Sequence, residues 1–240
     1  MDKERFNYCI EKYQDIKTSY NIGTYKEKTL HKIIKNYYCD DPSFQEIKFS
    51  GCVCDILRDK EIIEVQTRNL NKLRVKLDRF PNDYNVKIIY PIPYIKYLNW
   101  IDPETFEVKD QRKSPKKGSI YDAFKELYKI KMYLDRPNIK IVLLLINAEE
   151  FRNLNGWSAN KKKGSVRADM IPTELVDEIE INDFRIFIPE ELDDEFTSND
   201  YRKAIKRNIS IARIGLNILC YLNIIKIDHK EGRLNVYKRV

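Results

Sequence analysis

GCVCDILRDKEIIEVQ, residues 51–66, alternates between apolar and polar side chains on either side of a short charged turn. Such alternation predicts a β-hairpin whose successive side chains point to opposite faces. Asp55 lies in the first arm and Glu64 in the second, each among apolar or small neighbours. A carboxylate is costly to bury alone, so we expect a cation or a hydrogen-bond donor beside each of them.

The segments that flank the hairpin predict an α/β order of elements. An apolar stripe predicts a helix over residues 24–38, and alternation predicts a strand over residues 44–50. After the hairpin, Asn69 is placed to cap a helix that runs to Arg79, and residues 85–90 form a short apolar strand. The predicted order is helix, three strands, helix, strand.

Asp55, eight intervening residues and Glu64-Val65-Gln66 resemble the signature of PD-(D/E)XK nucleases, with Gln66 in the lysine position. The predicted αβββαβ order over residues 20–92 is similar to the restriction-endonuclease-like core of that family, which has a mixed central sheet. The resemblance implies Mg²⁺ or Mn²⁺ held by Asp55, Glu64 and the carbonyl of Val65. Gln66 departs from the family pattern, because it can position water or a phosphate oxygen but carries no charge.

A further acid is implied by the same resemblance. In that family the helix before the sheet often presents a glutamate to the metal, and Glu27 stands in that place. The alternative is a surface glutamate that pairs with a neighbouring lysine. His31 lies four residues further on and shares the helix face of Glu27, either near the site or as an ordinary boundary residue.

The middle of the chain carries two basic segments. Residues 91–111 are expected to be irregular, and basic loops are expected at residues 112–119 and 161–167, with a helix over 121–134 and a buried strand over 139–147 between them. Both loops contain Lys-Lys-Gly-Ser, a composition suited to phosphate oxygens. The predicted phosphate contacts are Lys116, Lys117, Lys162 and Lys163. Two solvated turns are the alternative.

The last part of the chain holds the excess positive charge. Residues 171–195 are acidic and predict a connector with strands at 178–181 and 184–188. Residues 196–240 contain ten Lys and Arg against three acids, which equals the net charge of +7 of the whole chain. A localised basic segment favours a polyanionic partner.

The tail resembles a winged helix-turn-helix, with two short helices followed by a hairpin at Gly232. This resemblance implies contacts to duplex DNA from one face of the second helix, residues 209–222, and from the hairpin tip. The predicted DNA-binding residues are Ser210, Arg213, Asn217 and Arg233. A winged helix used for protein contacts or dimerisation is the alternative.

Composition narrows the class of protein. The longest apolar run, residues 141–146, is too short to span a bilayer, and the charged N-terminus has no apolar core of a signal peptide. Five cysteines without Cys-x-x-Cys spacing and two histidines argue against a zinc site. We therefore expect a reduced, cytoplasmic protein without a membrane partner, divided into residues 1–190, nuclease-like, and 191–240, winged helix.

The two resemblances imply a Mg²⁺-dependent DNA endonuclease that holds duplex DNA with its C-terminal module. One alternative is a nuclease-derived protein that binds DNA or regulates without cutting, which the glutamine at position 66 supports. Another is an interaction protein in which the tail dimerises. A homodimer is attractive for a nuclease because two strands of a duplex have to be cut.

Overall fold

A computed structural model describes residues 1–14, 29–102, 105, 107–157 and 163–240. The described chain is a mixed α/β protein with a mixed central sheet and helices on both faces of the sheet. Its helices are α1 (Lys3–Tyr13), α2 (Thr29–Tyr38), α3 (Arg74–Arg79), α4 (Phe124–Leu127), α5 (Ser198–Ala204) and α6 (Ile209–Tyr221). Its strands are β1 (Gln45–Phe49), β2 (Cys52–Arg58), β3 (Glu61–Val65), β4 (Asn85–Ile101), β5 (Val108–Lys113), β6 (Ile139–Trp157), β7 (Lys163–Ile181), β8 (Glu195–Thr197), β9 (Ile225–Glu231) and β10 (Leu234–Arg239).

The central sheet has the strand order β1-β2-β3-β4-β6-β7, and β5 pairs with the distal part of β4. β3, β4 and β6 are parallel, whereas β1–β2, β2–β3, β6–β7 and β4–β5 are antiparallel. The order α2-β1-β2-β3-α3-β4 agrees with the predicted succession of elements. The predicted buried strand at residues 139–147 is also confirmed, since residues 141–146 of β6 are all buried.

Two tight turns fix the register of the first three strands. Ser50 and Gly51 join β1 to β2, and Asp59 and Lys60 join β2 to β3, all four with positive φ. Two-residue turns with positive φ match the twist of antiparallel strands. The predicted hairpin is therefore present, with Ile56 paired to Ile63.

Each face of the sheet has its own apolar cluster. On one face α1 and α2 contribute Phe6, Ile33 and Ile34, which pack with Val142 and Leu144 of β6. On the other face α3, α4 and the C-terminal elements form a larger cluster that includes the members Leu77, Phe124, Leu127, Tyr201, Leu216 and Ile218. The tail thus shares a core with the sheet and its helices.

The expectation of an irregular segment after residue 90 is wrong, because β4 continues through Pro91 and Pro93 to Ile101 and β5 pairs with it. The pairing of β3 with β4 ends at Ile89, so the edge of β4 that faces β3 has no partner strand among the described residues where the prolines occur. The two prolines are two residues apart, and their missing N–H groups belong to the same edge. A strand tolerates proline at such an edge.

Three further expectations about loops and connectors are corrected. Residues 163–167, expected in a basic loop, are the start of β7, and residues 171–181, expected in a connector, are its continuation along the sheet. Residues 184–187 form a 3₁₀ turn rather than a strand. Residues 161 and 162 of the expected loop lie outside the described residues.

Two predicted helices are shorter or more irregular than expected. The segment after Asn69 begins as the 3₁₀ turn Leu70–Leu73 and becomes α-helical only at Arg74, and Asn69 itself has φ 57° with no side-chain cap bond. Residues 120–133 consist of α4 between two 3₁₀ turns, with non-helical φ and ψ at Ile130. Such breaks allow a short segment to follow the surface of the sheet.

The tail forms a small second sheet with the order β8-β10-β9. Thr197 caps α5 in a capping box with Asp200. α6 and the β9–β10 hairpin at Gly232 also lie close to their predicted positions. Among the described residues, no helix combines the length and apolar character needed to cross a bilayer.

Candidate functional site

Asp55 lies on β2 with its side chain directed toward β3. Its Oδ2 accepts a hydrogen bond from the backbone N–H of Val65 at 2.8 Å, and Nε2 of His31 on α2 lies 3.1 Å from the same oxygen. The side chain is 13% exposed. A backbone donor and an imidazole from a different element therefore hold this carboxylate in one orientation.

Glu64 lies on β3 and is 1% exposed. Its Oε2 accepts a hydrogen bond at 2.6 Å from Nζ of Lys76 on α3, while Oε1 is buried without a hydrogen-bond partner in the described part of the chain. A buried carboxylate oxygen without a donor is unusual, because its desolvation is left uncompensated. The Lys76 ammonium is the counter-charge expected for this acid.

Burial and the nearby charge of Asp55 raise the pKa of Glu64 to about 7, although Lys76 acts in the opposite sense. Burial alone would lower the pKa of Lys76, but the charges of Glu64 and Asp55 outweigh it and raise that pKa. The lysine therefore stays charged at neutral pH, and Glu64 holds a proton to a higher pH than an exposed glutamate does. Two acids whose charges interact this strongly form a single electrostatic unit.

Gln66 does not reach the two acids. Its amide nitrogen donates a hydrogen bond to the backbone carbonyl of Arg68, so the side chain turns along its own strand end. Val65 takes part through its N–H rather than through an observed contact of its carbonyl, and the metal-binding role of that carbonyl stays a prediction. The ammonium that does reach Glu64 comes from Lys76, on another element.

Lys76 is not among the site residues that the sequence motif predicts. A signal was present, because Lys76 lies between Leu73 and Leu77, two buried positions of the same apolar stripe. A lysine at the edge of a buried helix face extends its stem over apolar surface and places its charge where an acid can meet it. Of the two alternatives for His31, the structure favours a position near the site, with Nε2 3.1 Å from Oδ2 of Asp55.

Glu27, the further acid implied by the nuclease resemblance, lies outside the described residues. Within residues 1–14, 29–102, 105, 107–157 and 163–240 no group of three or more His, Cys, Asp and Glu side chains is arranged to hold a metal ion. The described acids of the site are therefore two, Asp55 and Glu64. Oxygen ligands of this kind suit a hard divalent ion that keeps several waters.

A second charged cluster lies farther along the sheet, where β4, β6 and β7 extend beyond β3. Glu150, 3% exposed, is bonded to Lys96 at 2.7 Å and to Arg152 at 2.5 Å. Burial would raise the pKa of Glu150, but these two cations lower it below its usual value. This carboxylate therefore stays ionised and is already shared by two cations.

Arg167 of β7 belongs to the same cluster. Its Nε is buried and has no hydrogen-bond partner in the described part of the chain. Burial and the positive charge of Arg68 lower the pKa of Arg167, against the opposing charges of Glu150 and Asp169. Asp169 itself accepts hydrogen bonds from the hydroxyl of Thr29 and the N–H of Met170. The cluster thus holds more positive than negative charge.

The predicted phosphate-binding lysines have different surroundings. Lys116 forms an ion pair with Asp122 at 2.9 Å, and Lys117 lies over the ring of Tyr94 at 4.4 Å from its centroid. Lys162 lies outside the described residues, and the backbone of Lys163 belongs to β7. Lys116 and Lys117 alone are therefore placed in the expected kind of loop, which runs from β5 to the 3₁₀ turn Ile120–Ala123.

The predicted DNA-contacting residues of the tail are all exposed. Ser210, Arg213 and Asn217 lie on the outer side of α6, and Arg233 follows Gly232 at the tip of the β9–β10 hairpin. Asn217 accepts a hydrogen bond at 2.8 Å from Lys131, which also lies over the ring of Tyr221. The outer side of α6 is accordingly a polar, positively charged surface.

Comparison with known proteins identifies a family and one relative. A family model described as a domain of unknown function (DUF8091) matches residues 28–182. An uncharacterized protein of Treponema pallidum (strain Nichols) is 29% identical over 160 residues, which are 65% of this chain and 63% of that protein. The chain thus spans less than two thirds of that relative, and no solved structure matches the chain. The family match includes both acids, Lys76 and Arg167 but not the tail.

Proposed function

The chain belongs to the family of the domain of unknown function DUF8091, and we propose that this member is a metal-dependent DNA endonuclease. The observation that carries the proposal is the position of Asp55 and Glu64 on neighbouring strands, with a buried Glu64 oxygen that lacks a partner in the described part of the chain. The pKa of Glu64 is raised to about 7, which is typical of acids at functional sites. The similarity to the PD-(D/E)XK signature supplies the reaction class.

The donor set fits Mg²⁺ or Mn²⁺. Asp55 and Glu64 offer carboxylate oxygens, and hard divalent ions are held by a few carboxylates together with water. A bound ion would lower the pKa of a coordinated water and neutralise charge on the phosphate. Glu27 and the carbonyl of Val65 stay candidates for further ligands.

The chain's own residues have distinct tasks in this proposal. His31 and the N–H of Val65 orient the Asp55 carboxylate. Lys76 places its ammonium group beside Glu64. From this position the ammonium can stabilise negative charge that develops on a phosphate oxygen. Gln66, held by the carbonyl of Arg68, has no direct part.

The tail supports the choice of duplex DNA as substrate. Its order β8-α5-α6-β9-β10 resembles a winged helix, and the excess positive charge of the chain lies in it. Ser210, Arg213 and Asn217 would contact the groove from α6, and Arg233 the flanking backbone or minor groove. Lys116 and Lys117 would add phosphate contacts from the core.

A plasmid-nicking assay tests the proposal. In Mg²⁺ or Mn²⁺ the parent protein should convert supercoiled plasmid to the open circular form, and Asp55→Asn and Glu64→Gln should each abolish conversion. Glu61→Gln is the matched control, because Glu61 lies on the same strand but is paired with Lys87 at 3.2 Å. Nicking that survives both acid substitutions would refute the assignment of this site.

A second candidate function has one observation in its favour. Lys76 already neutralises Glu64, and Gln66 is turned away, an arrangement that a protein without catalysis could retain for stability. This candidate is a nuclease-derived protein that binds DNA without cutting it. Duplex binding that weakens with salt, together with no nicking by the parent protein in either ion, would favour this candidate.

A further inference from the structure

A cavity of about 250 Å³ opens between β4 and the loop that precedes the 3₁₀ turn Ile120–Ala123. Its apolar lining, here called the proline–isoleucine wall, consists of Pro91, Ile92, Pro93 and Ile211, together with Tyr90. Its polar lining consists of Lys96, Lys116 and Lys125, together with Ser114 and Asp122. Small-molecule sites commonly combine an apolar wall with a few convergent polar groups in this way.

The loop side of the cavity is fixed at both ends. The N–H of Ser114 donates to the carbonyl of Lys96 at 2.7 Å, and the N–H of Gly118 donates to the carbonyl of Tyr94 at 2.9 Å. Gly118 lies so close to β4 that a Cβ at this position would be 2.1 Å from the carbonyl oxygen of Pro93. The cavity is therefore formed before any ligand enters.

The tail holds the same loop from outside. Nη2 of Arg207 donates to the carbonyl of Lys117 at 3.0 Å and to the hydroxyl of Ser119 at 2.8 Å. Arg207 also bonds to Asp122 at 3.0 Å, and Ile211 of α6 contributes to the apolar wall. The core and the tail thus build the cavity together.

Positive charge prevails in the cavity. Asp122, the carboxylate among the lining residues, is already bonded to Lys116 and Arg207. Lys96 shares Glu150 with Arg152. Lys125 has no ion-pair partner in the described part of the chain, and burial raises the pKa of Tyr90 to about 12, which keeps its hydroxyl as a hydrogen-bond donor. An anion that enters would meet ammonium groups and little opposing charge.

We propose that this cavity binds one nucleotide unit, with its phosphate against Lys96, Lys116 and Lys125 and its base or sugar against the proline–isoleucine wall. Its volume lies just below the range of about 300–1,000 Å³ that is typical of small-molecule sites, so it suits a ligand no larger than a single nucleotide. The inference rests on the proposed function in taking a nucleic acid component as the ligand. A free mononucleotide and the 5′ end of a strand share this chemistry.

Calorimetric titration of the full chain in EDTA, where no cleavage can occur, tests the proposal. The probes are thymidine 5′-monophosphate, thymidine, inorganic phosphate, and a short single-stranded oligothymidylate with and without a 5′-phosphate. The monophosphate should bind more tightly than thymidine or phosphate alone. Lys125→Gln should weaken it about tenfold, because one charge-assisted contact is lost.

Lys226→Gln is the matched control, since it removes an equal charge from an exposed position of β9 that does not line the cavity. Tighter binding of the 5′-phosphorylated strand than of the unphosphorylated one, with the same loss in Lys125→Gln, would assign the site to strand ends. Binding of the monophosphate alone would assign it to free nucleotides. Equal affinities of Lys125→Gln and Lys226→Gln, or no binding of the monophosphate, would overturn the proposal.

The outcome is independent of the nuclease site. If the parent protein binds the monophosphate but does not nick plasmid in Mg²⁺ or Mn²⁺, the cavity proposal stands and the endonuclease proposal fails. If the protein nicks plasmid but binds no monophosphate, the endonuclease proposal stands and the cavity proposal fails. The two proposals can therefore fail separately.

Discussion

Glu64 is enclosed between a lysine and a second carboxylate, and its protonation follows from that enclosure. Burial raises its pKa from 4.5 to about 7. The folded protein consequently keeps a proton that the unfolded chain releases. Stability from this proton is fully present below about pH 4.5 and is lost as the pH rises to about 7.

The first prediction concerns this pH dependence. The free energy of unfolding should fall by about 3 kcal/mol between roughly pH 4.5 and pH 7 through Glu64 alone. Glu64→Gln should remove most of that slope, because a glutamine has no proton to release. Urea denaturation of the parent, Glu64→Gln and the control Glu61→Gln across this range measures the difference. Parallel curves for all three proteins would contradict the prediction.

The second prediction assigns the role of the missing lysine to Lys76. Lys76→Gln should lower the nicking rate roughly 100-fold, in the range found when one donor that stabilises transition-state charge is removed. The double variant with Gln66→Lys should regain part of the activity, since it places a lysine at the position that the PD-(D/E)XK signature uses. Arg79→Gln is the control, because Arg79 on the same helix bonds to the carbonyl of Gly51. Full activity of Lys76→Gln would exclude this role.

At the residue scale, the sequence was informative where side chains alternate along a strand. The placement of Asp55 and Glu64 on adjoining strands follows from period-two patterning, and the structure brings both into one site. The partner Lys76 does not follow, because α3 begins as a 3₁₀ turn and its rotation about the helix axis is fixed only by packing on the sheet. The orientation of Gln66 likewise depends on a backbone carbonyl that the sequence does not position.

The loop that closes the cavity depends on one glycine, which gives the third prediction. Gly118→Ala should destabilise the fold by about 1–3 kcal/mol, since its Cβ would meet the carbonyl oxygen of Pro93 at 2.1 Å. The variant should also lose affinity for thymidine 5′-monophosphate. Gly232→Ala, where φ is +60° and no atom lies within 4 Å, should cost about 1 kcal/mol of backbone strain and leave this affinity unchanged. Indistinguishable stability and affinity in the two variants would contradict the assigned contact.

The fourth prediction concerns α6 as a DNA-binding helix. Arg213→Ala should weaken duplex binding and reduce the slope of log affinity against log salt by about one, while the melting temperature stays constant. Lys3→Ala on α1 is the control, since α1 packs against the opposite face of the sheet. An unchanged salt slope in Arg213→Ala would remove α6 from the interface.

At the scale of elements, the sequence predicts where strands lie better than it predicts where they end. Two prolines in β4 suggested an end to the strand, yet they lie where β3 no longer pairs with it. Lysines and glycine at the start of β7 suggested a loop, yet their backbone continues the pairing with β6. Composition reports local preference, whereas a neighbouring strand can impose extension on residues that do not prefer it.

The fifth prediction concerns the whole molecule. The C-terminal elements and the helix over residues 120–133 share one apolar cluster, in which Gly215 of α6 lies so close to Phe124 that an added Cβ would be 2.4 Å from its ring. We therefore expect a single calorimetric transition, with an enthalpy of roughly 170 kcal/mol near 60 °C for 240 residues. A chain cut after residue 190 should lose this cooperative transition. Two separable transitions would instead favour independent units on either side of that boundary, which stays a prediction.

Sequence patterns predict the helices and the hairpin of the tail but not the surface of the core against which the tail packs. The apolar stripe of α6 predicts burial without naming the surface that covers it, because contacts between distant segments leave no local period. The ion pair of Arg207 with Asp122 joins residues 85 positions apart. Only the folded chain reveals that this tail completes the core.

The apolar cluster that the core shares with the C-terminal elements has a consequence for other members of the family. The match to the family model ends at residue 182, before the C-terminal elements that cover Phe124, Leu127 and Ile130. A relative with the same sheet but without these elements would expose this apolar surface, unless another segment or a partner protein covered it. We therefore expect members of the family to differ in the segment or partner that covers this apolar surface.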